Sequence, residues 1–252
     1  MLRSRRRHRP QTLGALRALG IILGGTCGLG GSARAAEEGQ GMIAGAELAM
    51  ASAYYYRGED IFDGTLNLQP TLWLGWAFER AELAAELWGA FPLHDRQRLR
   101  PVRDEVDLTL QATIAASERL ELSAGLLLSF VPADGADPFT EALVGASLDL
   151  GAGFSVEVAA AVALESETGI HVQAGPAWTG ALGSAFELEL AATVGGSRYR
   201  GEDAAFTELA LSAALTADLG AGFAASMSAL YGYSPATRRQ IPAVSVALAR
   251  GW

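Results

Sequence analysis

From Gly64 onward the chain alternates residue by residue. Leu66, Leu68, Pro70, Leu72, Leu74, Trp76 and Phe78 share one parity, while Thr65, Asn67, Gln69, Thr71, Trp73, Gly75, Ala77 and Glu79 share the other. A period of two belongs to a β-strand with one apolar face and one polar or small face. The pattern recurs over 81–91, 106–114, 120–130, 144–150, 154–164, 170–178, 186–194, 209–215, 223–233 and 244–252, and Leu48, Met50, Tyr54 and Tyr56 open the series, which makes twelve segments. Two of them, 81–88 and 207–219, are rich in the helix formers Ala, Leu and Glu. Their neighbours decide for strand, because the connections alternate as well. Tight ones (Glu79-Arg80, Glu118-Arg119, Gly151-Ala152-Gly153, Ala181-Leu182-Gly183, Gly220-Ala221-Gly222) interleave with longer, charged ones (57–63, 92–104, 132–138, 195–204, 234–240), and Ser166-Glu167-Thr168 is the short exception.

An even strand number, short turns on one side and long loops on the other predict an all-β fold, a transmembrane antiparallel up-and-down barrel of the bacterial outer-membrane kind. Both termini then lie on the short-turn, periplasmic side. Two internal echoes keep the same register: Asp149-Leu-Gly-Ala-Gly-Phe154 returns as Asp218-Leu-Gly-Ala-Gly-Phe223, and Tyr56-Arg-Gly-Glu-Asp60 as Tyr199-Arg-Gly-Glu-Asp203. A soluble sandwich would alternate too, with its apolar face inward. Against it stand the small and acidic residues of the second face and the aromatics gathered at strand ends. Tyr54, Tyr56, Phe91, Phe130, Phe139, Tyr231 and Tyr233 lie near the long loops; Trp76, Phe78, Phe154, Trp178, Phe186 and Phe223 lie near the turns. Two interfacial girdles are expected from them.

Residues 1–35 read as a secretory signal peptide: an Arg-rich start, an apolar stretch over 18–31, and Ala33-Arg34-Ala35 as the cleavage site, leaving 36–252 as the barrel. A retained membrane anchor, twin-arginine export through Arg5-Arg6-Arg7 and lipid attachment at Cys27 are weaker readings of the same segment. Removing it takes away the single Cys and leaves His94 and His171 as the histidines, so no metal or other cofactor is expected. All 19 basic residues are Arg, and seven fall within residues 1–35, so 12 remain against 28 Asp plus Glu. That acidic balance disfavours nucleic acid, whose phosphates need a basic surface. The mean hydropathy of +0.20 is spread along the alternation, with no apolar run long enough for a spanning helix after the leader.

The chain stops on Trp252, in apolar parity with Val244, Val246 and Leu248, which resembles the terminal signal recognised by the outer-membrane barrel-assembly machinery. Ala51-Ser-Ala-Tyr-Tyr-Tyr-Arg-Gly58, with Gln69-Pro70 in the next segment and Trp88-Gly89 after it, resembles the opening hairpin of the TorF-type porins. The resemblance covers about 25 residues and implies a porin barrel.

Parity places Glu47, Glu82, Glu86, Asp107, Glu121, Glu141, Glu157, His171, Glu187, Glu189 and Glu208 on the interior as candidate pore-lining residues, beside Gln69, Gln111 and Gln173. No Arg holds an inward strand position. Arg57, Arg96, Arg98, Arg100, Arg103, Arg198, Arg200, Arg238 and Arg239 fall in the long, extracellular loops, so charge is expected to segregate by layer. Twelve strands spaced about 4.8 Å apart and tilted about 40° enclose a backbone radius of roughly 12 Å, between filled small barrels and open porins. These features predict a narrow porin or channel for small, cationic solutes. The loop 92–104 is expected either to fold in as a gate or to meet lipopolysaccharide phosphates. Outer-membrane lipids and the export and assembly machinery are the other expected partners.

Two alternatives remain: a non-conducting structural or adhesive barrel, and an outer-membrane lipid hydrolase. The second needs a serine and histidine pair, and neither His94 nor His171 sits in a recognisable sequence constellation. The repeated Tyr-Arg-Gly-Glu-Asp could also pair Glu59 and Asp60 with Glu202 and Asp203 as oxygen ligands for a cation at the rim.

Overall fold

A computed structural model describes residues 41–94, 104–131, 138–165, 169–199 and 203–252. The strands are β1 (Gly41–Ala51), β2 (Tyr55–Tyr56), β3 (Glu59–Asp60), β4 (Asn67–Ala77), β5 (Ala81–Pro92), β6 (Glu105–Ala115), β7 (Leu120–Phe130), β8 (Phe139–Gly151), β9 (Phe154–Ala163), β10 (Gly169–Leu182), β11 (Phe186–Tyr199), β12 (Ala205–Gly220), β13 (Phe223–Ser234) and β14 (Arg239–Gly251). Twelve of them close in chain order into one antiparallel barrel, and β2 with β3 forms a separate two-stranded ribbon. The segments at 81–88 and 207–219 are strands. The expected leader, residues 1–35, lies outside the described residues.

Closure joins β1 to β14, with Leu48 opposite Leu248 and Gly45 opposite Gly251. The last residue takes part: the Trp252 N–H donates to the Ala44 carbonyl at 2.9 Å. An unclosed edge facing hydrocarbon would leave a row of donors and acceptors, each costing several kcal/mol. Closure is therefore the condition for the rest of the surface, which is apolar. Leu72, Leu74, Leu83, Val144, Leu211, Met227 and Val246 point outward and are exposed, whereas Gln69, Thr109, Ser129 and Glu141 point inward and are buried. A water-soluble sandwich would have the opposite sense, so the geometry excludes it.

The echoed Asp-Leu-Gly-Ala-Gly-Phe has a structural cause. At both sites Gly, Ala and Gly take positive φ, with Ala152 at 53° and Ala221 at 52°. The aspartate side chain accepts the first glycine's N–H, Asp149 from Gly151 at 2.7 Å and Asp218 from Gly220 at 2.8 Å, and each site carries a register shift in the ladder. The repeat encodes a bulged turn twice.

At the turn end Trp76, Phe78, Phe154, Trp178, Phe186 and Phe223 lie on the outward parity, as a girdle requires. At the other end Phe91, Phe130, Tyr231 and Tyr233 do the same, joined by Phe206. Three expected girdle members are corrected. Phe139 pairs with the inward Ser129 and faces the interior, and Tyr54 and Tyr56 belong to a segment that leaves the wall altogether.

Candidate functional site

The first strand ends at Ala51, not near Tyr56. Ser52 extends the pairing with β14 by one residue, its N–H donating to the Val244 carbonyl at 2.9 Å and its hydroxyl accepting the Val244 N–H at 3.0 Å. The chain then turns into the barrel. Arg57 and Gly58, at φ of 48° and 89°, form the two-residue link of the β2–β3 ribbon, the left-handed pair that tight hairpins require. Asp63 and Gly64 form a second left-handed pair, fixed by the Gly64 N–H donating to Asp60 Oδ2 at 2.6 Å.

This hairpin touches several walls of the lumen. Tyr54 packs its ring 5.2 Å from Trp88 of β5 and 5.3 Å from Phe62, with Ala90 in the same buried cluster. Tyr55 goes the other way, onto Ala210, Ile241 and Ala243 of β12 and β14, and its ring lies where a Cβ on Gly232 of β13 would stand. Gly58 comes so close to the Thr207 carbonyl of β12 that no side chain fits. Burial, reinforced by the charges of Glu105 and Asp107, holds the Tyr54 hydroxyl well above its ordinary pKa. Burial and Glu208 raise that of Tyr55.

Arg57 makes the polar anchor. Its guanidinium donates two hydrogen bonds to Glu141 of β8, at 2.8 and 2.5 Å, and lies 4.6 Å from the centre of the Tyr56 ring. Such a two-point fork fixes orientation as well as charge. The expectation that Arg57 belongs to an outer loop, and that arginine stays out of the interior, is therefore corrected. Arg57 reaches the lumen because the loop bearing it is folded inward.

The other candidate residues are placed as follows. Glu47, Glu86, Asp107, Glu141, His171 and Glu208 face inward and are buried; Glu82, Glu121, Glu157, Glu187 and Glu189 face inward and are partly buried. The list missed Glu105, which accepts a hydrogen bond from Ser129 at 3.2 Å. It also missed an apolar inner patch of Leu127, Leu143, Ala159 and Ala161 across β7–β9. Of the loop arginines, Arg198 is a strand residue on the outward parity of β11, Arg238 lies in the β13–β14 turn, and Arg239 begins β14 at 3.8 Å from Asp63, both exposed. Arg96, Arg98, Arg100, Arg103 and Arg200 lie outside the described residues, as does most of the 92–104 loop. So does Glu202 of the expected rim cation site. Asp60 of that site holds its own turn, and among the described residues no group of His, Cys, Asp or Glu is arranged to hold a metal ion.

His171 has partners that the sequence did not reveal. Its Nδ1 is 2.8 Å from Ser197 Oγ and its Nε2 3.2 Å from Glu208 Oε1, all three buried. Serine, histidine and glutamate in a chain are the ingredients of a hydrolase. Here Ser197 lies two residues from the end of β11, opposite His171 on β10 and on the last rung shared with β12, opposite Ala205. The chain of hydrogen bonds is a strut across β10, β11 and β12, on the wall that faces Tyr55.

No protein-family model and no curated protein sequence matches the chain. The likeness to TorF-type porins thus has no further support, and the Tyr-Tyr-Tyr-Arg-Gly carrying it lies in the inner hairpin. Solved structures do match. An outer membrane channel from Pseudomonas putida F1 is similar over 86% of this chain and 97% of its own, with TM-score 0.54 and 11% identity. The KdgM porin in complex with disordered oligogalacturonate is similar over 82% and 98%, with TM-score 0.52 and 7% identity. The NanC porin is similar over 82% and 97%, with TM-score 0.51 and 9% identity. At such identities the likeness is one of architecture: the chain has the fold of the twelve-stranded outer-membrane barrels.

Proposed function

We propose that this protein, exported and freed of residues 1–35, is a channel of the bacterial outer membrane that lets small solutes, cations above all, pass its lumen beside a fixed inner hairpin. The observation that carries the reading is the lumen's charge. Among the described residues eleven inward acids, counting Glu105 with Glu47, Glu82, Glu86, Asp107, Glu121, Glu141, Glu157, Glu187, Glu189 and Glu208, stand against Arg57, whose charge is already matched by Glu141, and Arg239, on the inward parity of β14 and 3.8 Å from Asp63. A wall of one sign enclosed by low-dielectric protein concentrates counter-ions and repels co-ions. That porins and an outer membrane channel share the architecture supports the channel role. Lipopolysaccharide phosphates are the partner proposed for the outward-facing Arg198.

A second reading, a non-conducting barrel, is favoured by the buried Tyr54, Phe62 and Trp88 cluster, which fills one side of the lumen. Planar bilayers separate the two. Purified barrel whose folding is verified by heat-modifiable gel mobility should give discrete current steps in potassium chloride. Inserted, folded protein that never gives a step would overturn the channel reading.

A further inference from the structure

On the wall formed by β5 and β6, four side-chain oxygens lie buried without a hydrogen-bond partner: Glu82 Oε1, Gln111 Oε1, Glu86 Oε2 and Asp107 Oδ1. Their placement is regular. The register pairs Glu82 with Thr113, Ala84 with Gln111, Glu86 with Thr109 and Trp88 with Asp107. The bare acceptors therefore occupy four successive inward rungs and alternate between the strands. Each step is two residues, about 7 Å at the rise of an antiparallel strand.

Gln111 shows that this is more than a collection of acids. Its Nε2 donates to Thr113 Oγ1 at 3.1 Å, which turns the amide so that its carbonyl oxygen is left bare. The residue is 9% exposed, Glu86 7% and Asp107 4%. Buried acceptors without donors are penalised, and such groups in a folded protein call for a donor. The rung above the ladder is already supplied: Glu105, opposite Ala90, accepts from Ser129 beneath Tyr54 of the hairpin. Among the described residues Arg57, which reaches into the lumen, is committed to Glu141.

Among the described residues these groups do not converge as ligands around one metal ion. The spacing suits a row of donors. A four-carbon spacer sets two ammonium nitrogens about 6 Å apart by standard bond lengths, near the step of the ladder. We propose that the β5–β6 wall is a binding track for linear aliphatic di- and polyamines, each ammonium group bridging neighbouring rungs. The track rests on the cation-passing reading above and gives it a solute class.

Spermidine is the probe. Added to one side of a bilayer holding the full barrel, it should interrupt the potassium current, and its apparent affinity should fall by about tenfold or more in the Glu82→Gln/Glu86→Gln/Asp107→Asn variant, as expected when charge-assisted hydrogen bonds are lost. Gln111→Leu keeps every charge and should still weaken block several-fold, which a purely electrostatic lumen would not do. Titration calorimetry of spermidine into the folded barrel in micelles reads the same affinities without conduction. A conducting barrel indifferent to spermidine, or equal affinity in wild type and Gln111→Leu, overturns the track and leaves the channel standing. Binding with the expected variant pattern in a barrel that does not conduct supports the track and overturns the channel. Should the triple variant lose heat-modifiable mobility, Gln111→Leu alone decides.

Discussion

Replacing Arg57 by alanine should free the inner hairpin and leave the barrel intact. The guanidinium donates twice to Glu141, and the two side chains are only 12% and 5% exposed. Removing one partner of a buried pair leaves the other charge uncompensated, at about 3 to 5 kcal/mol. That penalty falls on docking of the hairpin, because β2 and β3 pair only with each other and contribute nothing to the twelve-strand ladder. At about 1.4 kcal/mol per tenfold change, the docking equilibrium moves by at least about 100-fold toward the released state. Tyr54 and Tyr55 still hold their walls, so the released state becomes sampled without becoming the sole one. Single-channel recording should show added openings of higher conductance, and proteinase K should cut within 52–66 faster than in wild type. The Arg57→Ala/Glu141→Ala double variant removes the stranded charge and should recover about 1 to 3 kcal/mol of docking, the coupling expected of neighbours in one ion pair. Wild-type conductance together with wild-type protease protection in Arg57→Ala would refute the reasoning.

Gly58→Ala should release the hairpin more completely, because the φ of 89° disfavours a side chain by about 1 to 2 kcal/mol and the Thr207 carbonyl occupies the space a Cβ needs; protease sensitivity above that of Arg57→Ala is the expected result. Leu74→Arg, on the outward face of β4, should destabilise the barrel in lipid by about 2 to 4 kcal/mol if the site lies near the bilayer midplane, measured by urea titration in vesicles. His171→Ala should lower stability by about 1 to 3 kcal/mol through loss of the Ser197–Glu208 strut, and neither it nor wild type should release fatty acid from phospholipid. Removal of Trp252 should slow assembly into vesicles, since its N–H and carbonyl both bond Ala44 across the closing seam.

Alternation alone was enough to locate the barrel strands and their faces, because a strand that separates lipid from lumen cannot conceal its period. It could not say where β1 stops. Leu48 and Met50 continue in parity to Tyr54 and Tyr56, and a tyrosine suits an interfacial girdle as well as a buried seat under Trp88. The discriminating signal lay in Arg57-Gly58, a tight-hairpin pair too close to Ala51 to be the crown of an extended loop. The Ser197–His171–Glu208 strut was hidden for a different reason. Parity made His171 inward, but its partners lie on two other strands. The tight turn after Leu182 does fix Ser197 opposite His171, whereas Glu208, opposite Gly195, is placed by the β11–β12 register, which no tight turn sets. The list of inward acids needed parity alone, which passed over Glu105; the partners of those acids needed the three-dimensional register.

The sign of the reversal potential across a tenfold potassium chloride gradient tests the central claim most directly. A lumen whose unmatched charge is carboxylate should shift the current zero toward the potassium equilibrium potential, with a limit of about 59 mV for complete selectivity. A shift toward the chloride potential would contradict it.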